Sequence, residues 1–385
     1  MTNPRLSPRA RSPQALAVPS RGRSPLLAGA LLAVLAVALL WVAPASAETT
    51  RALNQNFTPD ANGVVRIANL AGKVTLAAGA GDAVVVKATL HAEDEDLLDE
   101  MKWVRDRDKG GWALYYPVDS VRYPVEAQRS TGIFGWLAAN VSNTNTKYLG
   151  ERVQVSSGKG RILYADLEIL YPAGIPLEVR QVVGDVEGGD LYGELRVDTG
   201  SGDVGIESFN GELVVDTGSG DIEVGSFRGS TGNFDTGSGD VEVSSVNADR
   251  VIVDTGSGDV LVRNGRVGDL SADTGSGDVI IDDVAVRKAV MDTGSGDVRL
   301  SGSLAEAVEI IADTGSGDVE IYGDAAASFR VSADQGSGDL TIGYDDAELR
   351  YTRDRRKVVG ATRGDERTRI EIDTGSGDAV VSPAR

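Results

Sequence analysis

The heptapeptide Asp-Thr-Gly-Ser-Gly-Asp-Val occupies residues 198–204, and close copies of it return eight more times before the chain ends. The copies begin at Asp198, Asp216, Asp235, Asp254, Asp273, Asp292, Asp313, Asp334 and Asp373. The first seven steps between copies measure 18 to 21 residues, and the last measures 39. A repeat period near 20 residues is typical of a solenoid, in which each coil of chain stacks on the one before it.

The residues on both sides of the motif predict which kind of solenoid this is. Apolar side chains alternate after the first copy, at Val204 and Ile206, and before it, at Leu195 and Val197. Most later copies have the same two flanks, joined by short polar or glycine-containing turns. Alternation with β-branched residues indicates strands with one buried face. We therefore predict an all-β fold, a parallel β-solenoid with coils of about 19 to 21 residues, in-register strands and a right-handed winding.

The first 47 residues are interpreted as an export signal. Five arginines precede an apolar run at residues 26–43, and Ala45-Ser46-Ala47 is a small-residue cleavage pattern, so the mature chain is expected to begin near Glu48. The run has 18 residues, just long enough to span a bilayer, so an uncleaved anchor is the competing interpretation. With the signal removed, no further membrane span is expected, and the protein is predicted to be periplasmic, at the cell surface or extracellular.

The composition excludes several classes of function. The chain carries a net charge of −20, which becomes −25 when the five signal arginines are removed, so it is expected to repel nucleic acid and anionic lipid. It has no cysteine, which rules out disulfides and thiolate zinc sites. The one histidine, His91, lies on an alternating stretch and is expected to be a strand residue rather than a catalyst.

Residues 48–385 are predicted to form a single β-solenoid domain with two departures from the repeat. Degenerate coils are expected near Val74, Val84 and Val186, and a short helix within residues 93–104. A non-repeating insertion occupies residues 117–150, and a basic insertion occupies residues 344–368. Both are expected to leave the solenoid as loops, or to cap or flank it.

The repeated motif is interpreted first as a corner of the solenoid. Glycine allows the tight turn, and aspartate is expected to accept hydrogen bonds from backbone N–H groups two residues further along. Stacking, however, places two columns of carboxylates, headed by Asp198 and Asp203, about 5 Å apart along the coils. Neighbours at that distance repel by roughly 3 kcal/mol at the effective dielectric of a protein surface. Backbone donors or bound cations must offset this repulsion.

Two other interpretations of the motif involve chemistry. Gly-Ser-Gly-Asp-Val is similar to a calcium-binding nonapeptide repeat, although the spacing is off by one residue and a second glycine-rich turn per coil is missing. We predict no cofactor, with calcium as the alternative. Asp-Thr-Gly-Ser also matches the loop of aspartic proteases, but that chemistry needs two facing loops that share one proton, and nine copies along one edge cannot form such a pair. We predict no catalytic, cofactor-binding or metal-binding residues.

Two further segments have features of binding sites. Arg363-Gly364-Asp365 matches an integrin-binding tripeptide, but in an arginine-rich loop these charges are expected to serve local pairing or solubility. Ile133-Phe134-Gly135-Trp136-Leu137 belongs to an aromatic-rich insertion, which either covers the side or open edge of the solenoid or contacts a protein or glycan partner.

The repeats together resemble the bacterial putative-adhesin family of β-strand repeat domains. The resemblance rests on the turn at residues 69–74, the strand at residues 167–172, the segment at residues 182–186 and the run of Thr-Gly-Ser-Gly-Asp-Val coils. It spans roughly residues 64–381 and implies an extracytoplasmic, non-enzymatic protein with a β-helix-like fold.

We therefore expect an exported, non-enzymatic repeat protein that acts as an adhesin or as a structural or interaction component of the cell envelope, with an unidentified protein or glycan partner. The alternative is a polysaccharide-active β-helix enzyme, a lyase or hydrolase, in which the basic segment at residues 353–357 lies beside the acidic edge.

Overall fold

The valine and isoleucine pairs on either side of each motif form strands that stack in parallel, as the alternation predicts. In the computed structural model, which describes residues 48–124, 143–354 and 356–384, Val204 aligns with Ile222 on the next coil. The same position continues through Val241 and Val260 without a shift in register. The prediction of an all-β parallel β-solenoid is therefore confirmed.

The strands and the one described helix follow in chain order. The N-terminal part contains β1 (Thr49–Phe57), β2 (Val65–Ala71), β3 (Val74–Ala78), β4 (Val84–Ala92), α1 (Glu95–Glu100), β5 (Lys102–Arg105), β6 (Trp112–Tyr115), β7 (Ser120–Arg122), β8 (Thr144–Tyr148), β9 (Glu151–Ser156), β10 (Arg161–Tyr171) and β11 (Leu177–Val183). The repeat contains β12 (Val186–Ser201), β13 (Val204–Thr217), β14 (Ile222–Thr236), β15 (Val241–Val243), β16 (Val246–Thr255), β17 (Val260–Thr274), β18 (Val279–Thr293), β19 (Val298–Ser301), β20 (Glu309–Thr314), β21 (Val319–Gly323), β22 (Phe329–Asp334) and β23 (Leu340–Ile342). The C-terminal part contains β24 (Glu348–Tyr351), β25 (Val358–Arg363), β26 (Thr368–Thr374) and β27 (Ala379–Pro383).

The core is a continuous column of aliphatic side chains from successive coils. Val204, Val241 and Val260 are all fully buried, and each contributes apolar area worth roughly 25 cal/mol per Å² removed from water. The rings of Phe227 and Phe234 meet edge to face within this column, with centroids 5.9 Å apart. Each coil thus buries its apolar face only because another coil covers it, which is why the repeat must stack.

A column of buried threonines runs beside this core, at the second position of the motif. Thr255 Oγ1 donates to the carbonyl oxygen of Gly239 on the preceding coil at 2.9 Å, and the threonines from Thr217 onward repeat the contact. Thr199 is equally buried, but its hydroxyl has no partner. Thr255 and Thr199 are therefore equally buried positions of the column that differ in one hydrogen bond.

We expect Thr255→Val to lower the free energy of unfolding by about 1 kcal/mol, because it removes a buried hydrogen bond and keeps the shape of the side chain. Thr199→Val should leave stability unchanged or raise it, because the hydroxyl that it removes is buried without a partner. Urea unfolding of the two variants measures the difference, and equal losses would contradict it.

The last motif coil does not stack at the end of the solenoid. β26 and β27 lie between β20–β21 on one side and β22–β23 on the other, so Asp373 aligns with both Asp313 and Asp334. β25 runs antiparallel to β22, and β24 runs antiparallel to β25. The basic insertion is thus a hairpin that ends the sheet and turns the chain back, so that the C-terminal coil enters between two earlier ones.

The N-terminal coil, β2 and β3, stacks in parallel on β11 and β12, which confirms the degenerate coils near Val74 and Val186. The third expected coil, near Val84, is not one: it leads into β4, which runs antiparallel to both β1 and β10 beside the stack. The predicted helix is shorter than residues 93–104: α1 has six residues, and β5 begins at Lys102 because it pairs with β6. The described residues form one compact unit, and none of their helices is long and apolar enough to cross a membrane.

β7, β8 and β9 flank this end of the stack, so the described parts of the first insertion and its border form strands rather than loops. The predicted signal segment, residues 1–47, lies outside the described residues. So does the aromatic stretch Ile133–Leu137.

Candidate functional site

The second carboxylate column of the repeat is bound by backbone amides. The N–H of Asp221 donates to Oδ1 of Asp203 at 2.9 Å, and that of Asp203 donates to Asp185 at 3.1 Å. The contact repeats along the whole stack, including the interleaved C-terminal coil, where Asp339 donates to Asp378. Each aspartate therefore bonds to the next coil, and not to the N–H two residues further along as the sequence analysis expected.

The burial of this column decreases away from the N-terminal end. Asp185 is only 5% exposed, whereas the members from Asp240 onward include several exposed side chains. Burial raises the pKa of Asp185 to about 7, and the neighbouring carboxylates of Asp203 and Glu187 act in the same direction. The N–H of Asp203 and the ammonium of Lys73 act against this shift. Asp185 is thus the one column member whose charge is strongly disfavoured by its surroundings.

The first column, headed by Asp198, has no such repeated donor. Its members align in register on the outer surface and are exposed from Asp235 onward. Partial burial and then the neighbouring carboxylates raise the pKa of four of them, Asp235, Asp273, Asp292 and Asp313. The repulsion predicted from the sequence is therefore offset by backbone amides along the second column, whereas the first column has no repeated donor and an arginine, Arg196, at Asp216.

We expect that neither carboxylate column binds calcium. Calcium takes six to eight oxygen ligands, whereas no three His, Asp or Glu side chains among the described residues come together as a metal site. The thermal midpoint should be the same in calcium and in chelator. A rise in the midpoint with calcium would show that cations bridge the outer column.

His91 lies in a polar cluster at the start of the described chain. Its Nδ1 is 2.8 Å from Glu48 Oε1, its Nε2 is 3.2 Å from Asp166 Oδ2, and its ring stacks on Tyr164 with centroids 4.3 Å apart. Burial lowers the pKa of His91, but the two carboxylates more than offset this and raise it above its ordinary value. Tyr164 also donates to Glu48 at 2.6 Å. The cluster ties the residue before β1 to β4 and β10, which is consistent with the structural role expected for this histidine.

Both charged side chains of the Arg-Gly-Asp tripeptide bind other residues of the protein. Arg363 binds Asp346 and the carbonyl oxygens of Ala325 and Ala327, and it lies over the ring of Tyr344. Asp365 accepts hydrogen bonds from Ser328 and Arg367. The expected local pairing is therefore present. The basic segment reaches the acidic edge at the coil of Asp334, where Lys357 Nζ donates to the carbonyl oxygen of Gly336 at 3.1 Å.

A groove of about 1450 Å³ opens at the N-terminal end, between the β5–β6 hairpin and the β8–β9 hairpin. Arg107, Lys147 and Arg152 line it, together with the exposed ring of Tyr115. Lys147 and Arg152 lie directly opposite each other across β8 and β9. These cations do not stand out in the sequence, because Lys147 and Arg152 are five residues apart and Arg107 lies in a separate acidic stretch. The signal that could have found them is Tyr148-Leu149-Gly150-Glu151, a two-residue hairpin turn that makes residues 147 and 152 neighbours.

Comparison with known proteins places the fold in a family. A family model described as Toastrack DUF4097 matches residues 140–245 and, again, residues 233–382. The chain belongs to this family. The match confirms the resemblance that the repeat motifs indicated, and the Toastrack fold is a β-solenoid of stacked parallel strands. A search of the curated proteins found no match.

Solved structures of bacterial proteins are similar to this Toastrack chain at low identity. A putative lipid binding protein from Parabacteroides distasonis is 13% identical, with a TM-score of 0.42, and the alignment covers 86% of this chain and 96% of that one. A putative adhesin from Parabacteroides merdae is 9% identical, with a TM-score of 0.41 and the same two coverages. A putative adhesin from Bacteroides fragilis is 11% identical, with a TM-score of 0.35, covering 87% of this chain and 97% of that one.

Proposed function

We propose that this Toastrack protein is an exported, non-enzymatic component of the cell envelope that binds a surface partner, as an adhesin does. The observation that carries the proposal is the uniformity of the repeat. The same corner, with the same backbone-to-carboxylate bond, recurs from coil to coil, and the one member with a strongly raised pKa, Asp185, is buried and accepts the N–H of Asp203 as the others do, so it serves the corner. Surfaces that differ from the repeat lie at its ends, where a partner can be recognised.

Export is supported by the five arginines and the apolar run that precede Glu48, which together have the pattern of a signal peptide. N-terminal sequencing of the protein recovered from outside the cytoplasm tests this. We expect the sequence to begin at Glu48, and an N terminus upstream of the apolar run would show that the segment is retained as an anchor.

The non-enzymatic role is tested by incubating the mature chain with a panel of acidic and neutral polysaccharides. We expect retention of a polysaccharide without release of shorter products. Product release would instead support the polysaccharide-active alternative, for which the contact between Lys357 and the last acidic corner is the supporting observation. Lys357→Ala would then be the first variant to measure, with Arg353→Ala from the same segment as its control.

A further inference from the structure

The β8–β9 hairpin holds two like charges face to face. In the antiparallel register, Lys147 is opposite Arg152, and both side chains are exposed. Directly opposed like charges in a sheet are destabilising, by a few tenths to about 1 kcal/mol. No carboxylate of the described residues forms an ion pair with either cation. In a chain with a net charge of −20, two adjacent cations without acidic partners are unexpected.

Most other cations of the described solenoid have acidic partners. Arg263 pairs with Glu242 on the preceding coil, and Arg287 pairs with Asp269 in the same way. Near the C terminus, Arg363 pairs with Asp346, and Arg330 of β22 pairs with Glu366, whereas Arg353 and Lys357 have no acidic partner among the described residues. The β8–β9 pair belongs to this minority of cations, and in it two of them face each other across a sheet, so that their combined charge is available to a ligand.

The surroundings of the pair suit a polar ligand with one negative group. The next cross-strand pair on the same face is Asn145 opposite Gln154, two amides that can each donate and accept hydrogen bonds. Arg107, which also has no acidic partner among the described residues, lines the same groove as Lys147 and Arg152. Guanidinium and ammonium groups bind a carboxylate with charge-assisted hydrogen bonds, and amides match the hydroxyls of a sugar.

We propose that this groove binds the carboxylate of an acidic sugar within an otherwise neutral glycan. The proposal rests on the binding role proposed above and names the class of ligand. Lys147 and Arg152 hold the carboxylate, Asn145 and Gln154 bind hydroxyls of the same or the next sugar, and Arg107 borders the site.

Because the rest of the protein is acidic, we do not expect the groove to bind a densely charged polyanion. Asp106, Asp119 and Glu151 border the groove itself, and the whole chain is strongly negative. A polymer with a charge on every unit would be repelled along most of its contact, whereas an isolated carboxylate meets only the local cations. The site should therefore prefer sparsely charged glycans to polygalacturonate or to DNA.

The test uses the full mature chain and oligosaccharides that each carry one uronic acid, of the glucuronate, galacturonate and mannuronate types. Each is paired with its carboxyl-reduced twin, which has the same sugars without the charge. We expect at least one acidic member to bind about tenfold or more tightly than its twin, which is the usual scale for a charge-assisted contact. Binding should weaken as salt is added.

The site variant is K147Q/R152Q, and the matched control is R228Q/R250Q, which removes the same charge from two exposed arginines of the stack that also have no acidic partner among the described residues. The site variant should lose about tenfold or more in affinity for the acidic member, and the control should stay within about twofold. Thermal unfolding checks the fold: the site variant should melt at the same temperature as the parent or higher, because it removes a repulsion.

Several outcomes would overturn the proposal: no acidic member bound at millimolar concentration, equal binding of the reduced twins, unchanged binding by K147Q/R152Q, or stronger binding of polygalacturonate or DNA. Equal binding of acidic and neutral glycans would leave the proposed binding role intact and reject only this ligand class. Product release would reject the non-enzymatic role whatever the charge preference.

Discussion

Gly258→Ala should destabilise the solenoid by about 3 kcal/mol or more. Gly258 is the second glycine of a motif in the middle of the stack, and a Cβ there would overlap the carbonyl carbon and oxygen of Gly239 on the preceding coil. Both groups are backbone, so neither can move aside without separating two coils. Separation would break the parallel ladder on both sides of the corner, which explains the size of the expected loss.

The neighbouring residue supplies the control for this substitution. Ser257 is exposed at the same corner, so Ser257→Ala should change the free energy of unfolding by less than about 0.5 kcal/mol. Urea midpoints of the parent and the two variants, followed by circular dichroism, give the comparison. If Gly258→Ala kept the parent midpoint, the close approach of successive coils at the corner would be refuted.

Lowering the pH from 8 to 5 should stabilise the folded protein, and Asp185 should account for much of the gain. Its pKa is about 7 in the folded state, against an ordinary value of 3.8. A carboxyl with a raised folded pKa favours folding below its unfolded pKa, and this contribution is lost as the pH rises through the folded value. Between pH 8 and pH 5 the proton that only the folded Asp185 takes up stabilises the fold by about 3 kcal/mol. The raised pKa values of Asp203, Asp235 and His91 act in the same direction.

Asp185→Asn should therefore raise the free energy of unfolding at pH 8 by about 2 kcal/mol or more and flatten the profile between pH 5 and 8. The amide oxygen can still accept the N–H of Asp203, so the corner keeps its bond. Asp259→Asn is the matched control, because Asp259 makes the same contact with Asp278 at an exposed position. A parent protein that loses stability steadily from pH 8 to 5 would contradict the buried, disfavoured charge of Asp185.

The candidate site could be predicted only in part from the sequence. The second insertion is recognisable in the sequence as a basic segment, but the pairing of Arg363 with Asp346 needs the hairpin that brings residues 17 apart into contact. The first insertion was ended at Gly150, which is inside the turn of the β8–β9 hairpin: Leu149 and Gly150 both have positive φ, 52° and 85°. That boundary separated Lys147 from Arg152. Their opposition depends on strand register, which the turn sets and composition does not show.

The partners of the repeated carboxylates are another feature that required the structure. An aspartate after glycine suggests a bond within its own turn, because such bonds are local and common. The actual donor belongs to the next coil, 18 or 19 residues away for Asp203 and Asp240. The N–H of the aspartate's own turn and the N–H of the next coil are both backbone amides. Which of them the carboxylate binds therefore depends on how closely the coils approach. The two glycines of each corner allow that approach.

The period near 20 residues and the alternating valines were enough to determine the fold class, the parallel direction of the strands and the register of the coils, because only in-register stacking buries every apolar face at once.

The order of the coils was decided by the tertiary structure alone. The Asp373 coil lies between those of Asp313 and Asp334. Nearly identical corners fit against one another equally well at any level of the stack, so the motif cannot specify which two coils become neighbours. The hairpin of β24 and β25 determines the order of the coils, because β25 pairs with β22 and returns the chain to the space between the Asp313 and Asp334 coils. The two columns that begin at Asp198 and Asp203, alike in the sequence, differ for a similar reason: only the stacked backbone determines which of them meets an N–H.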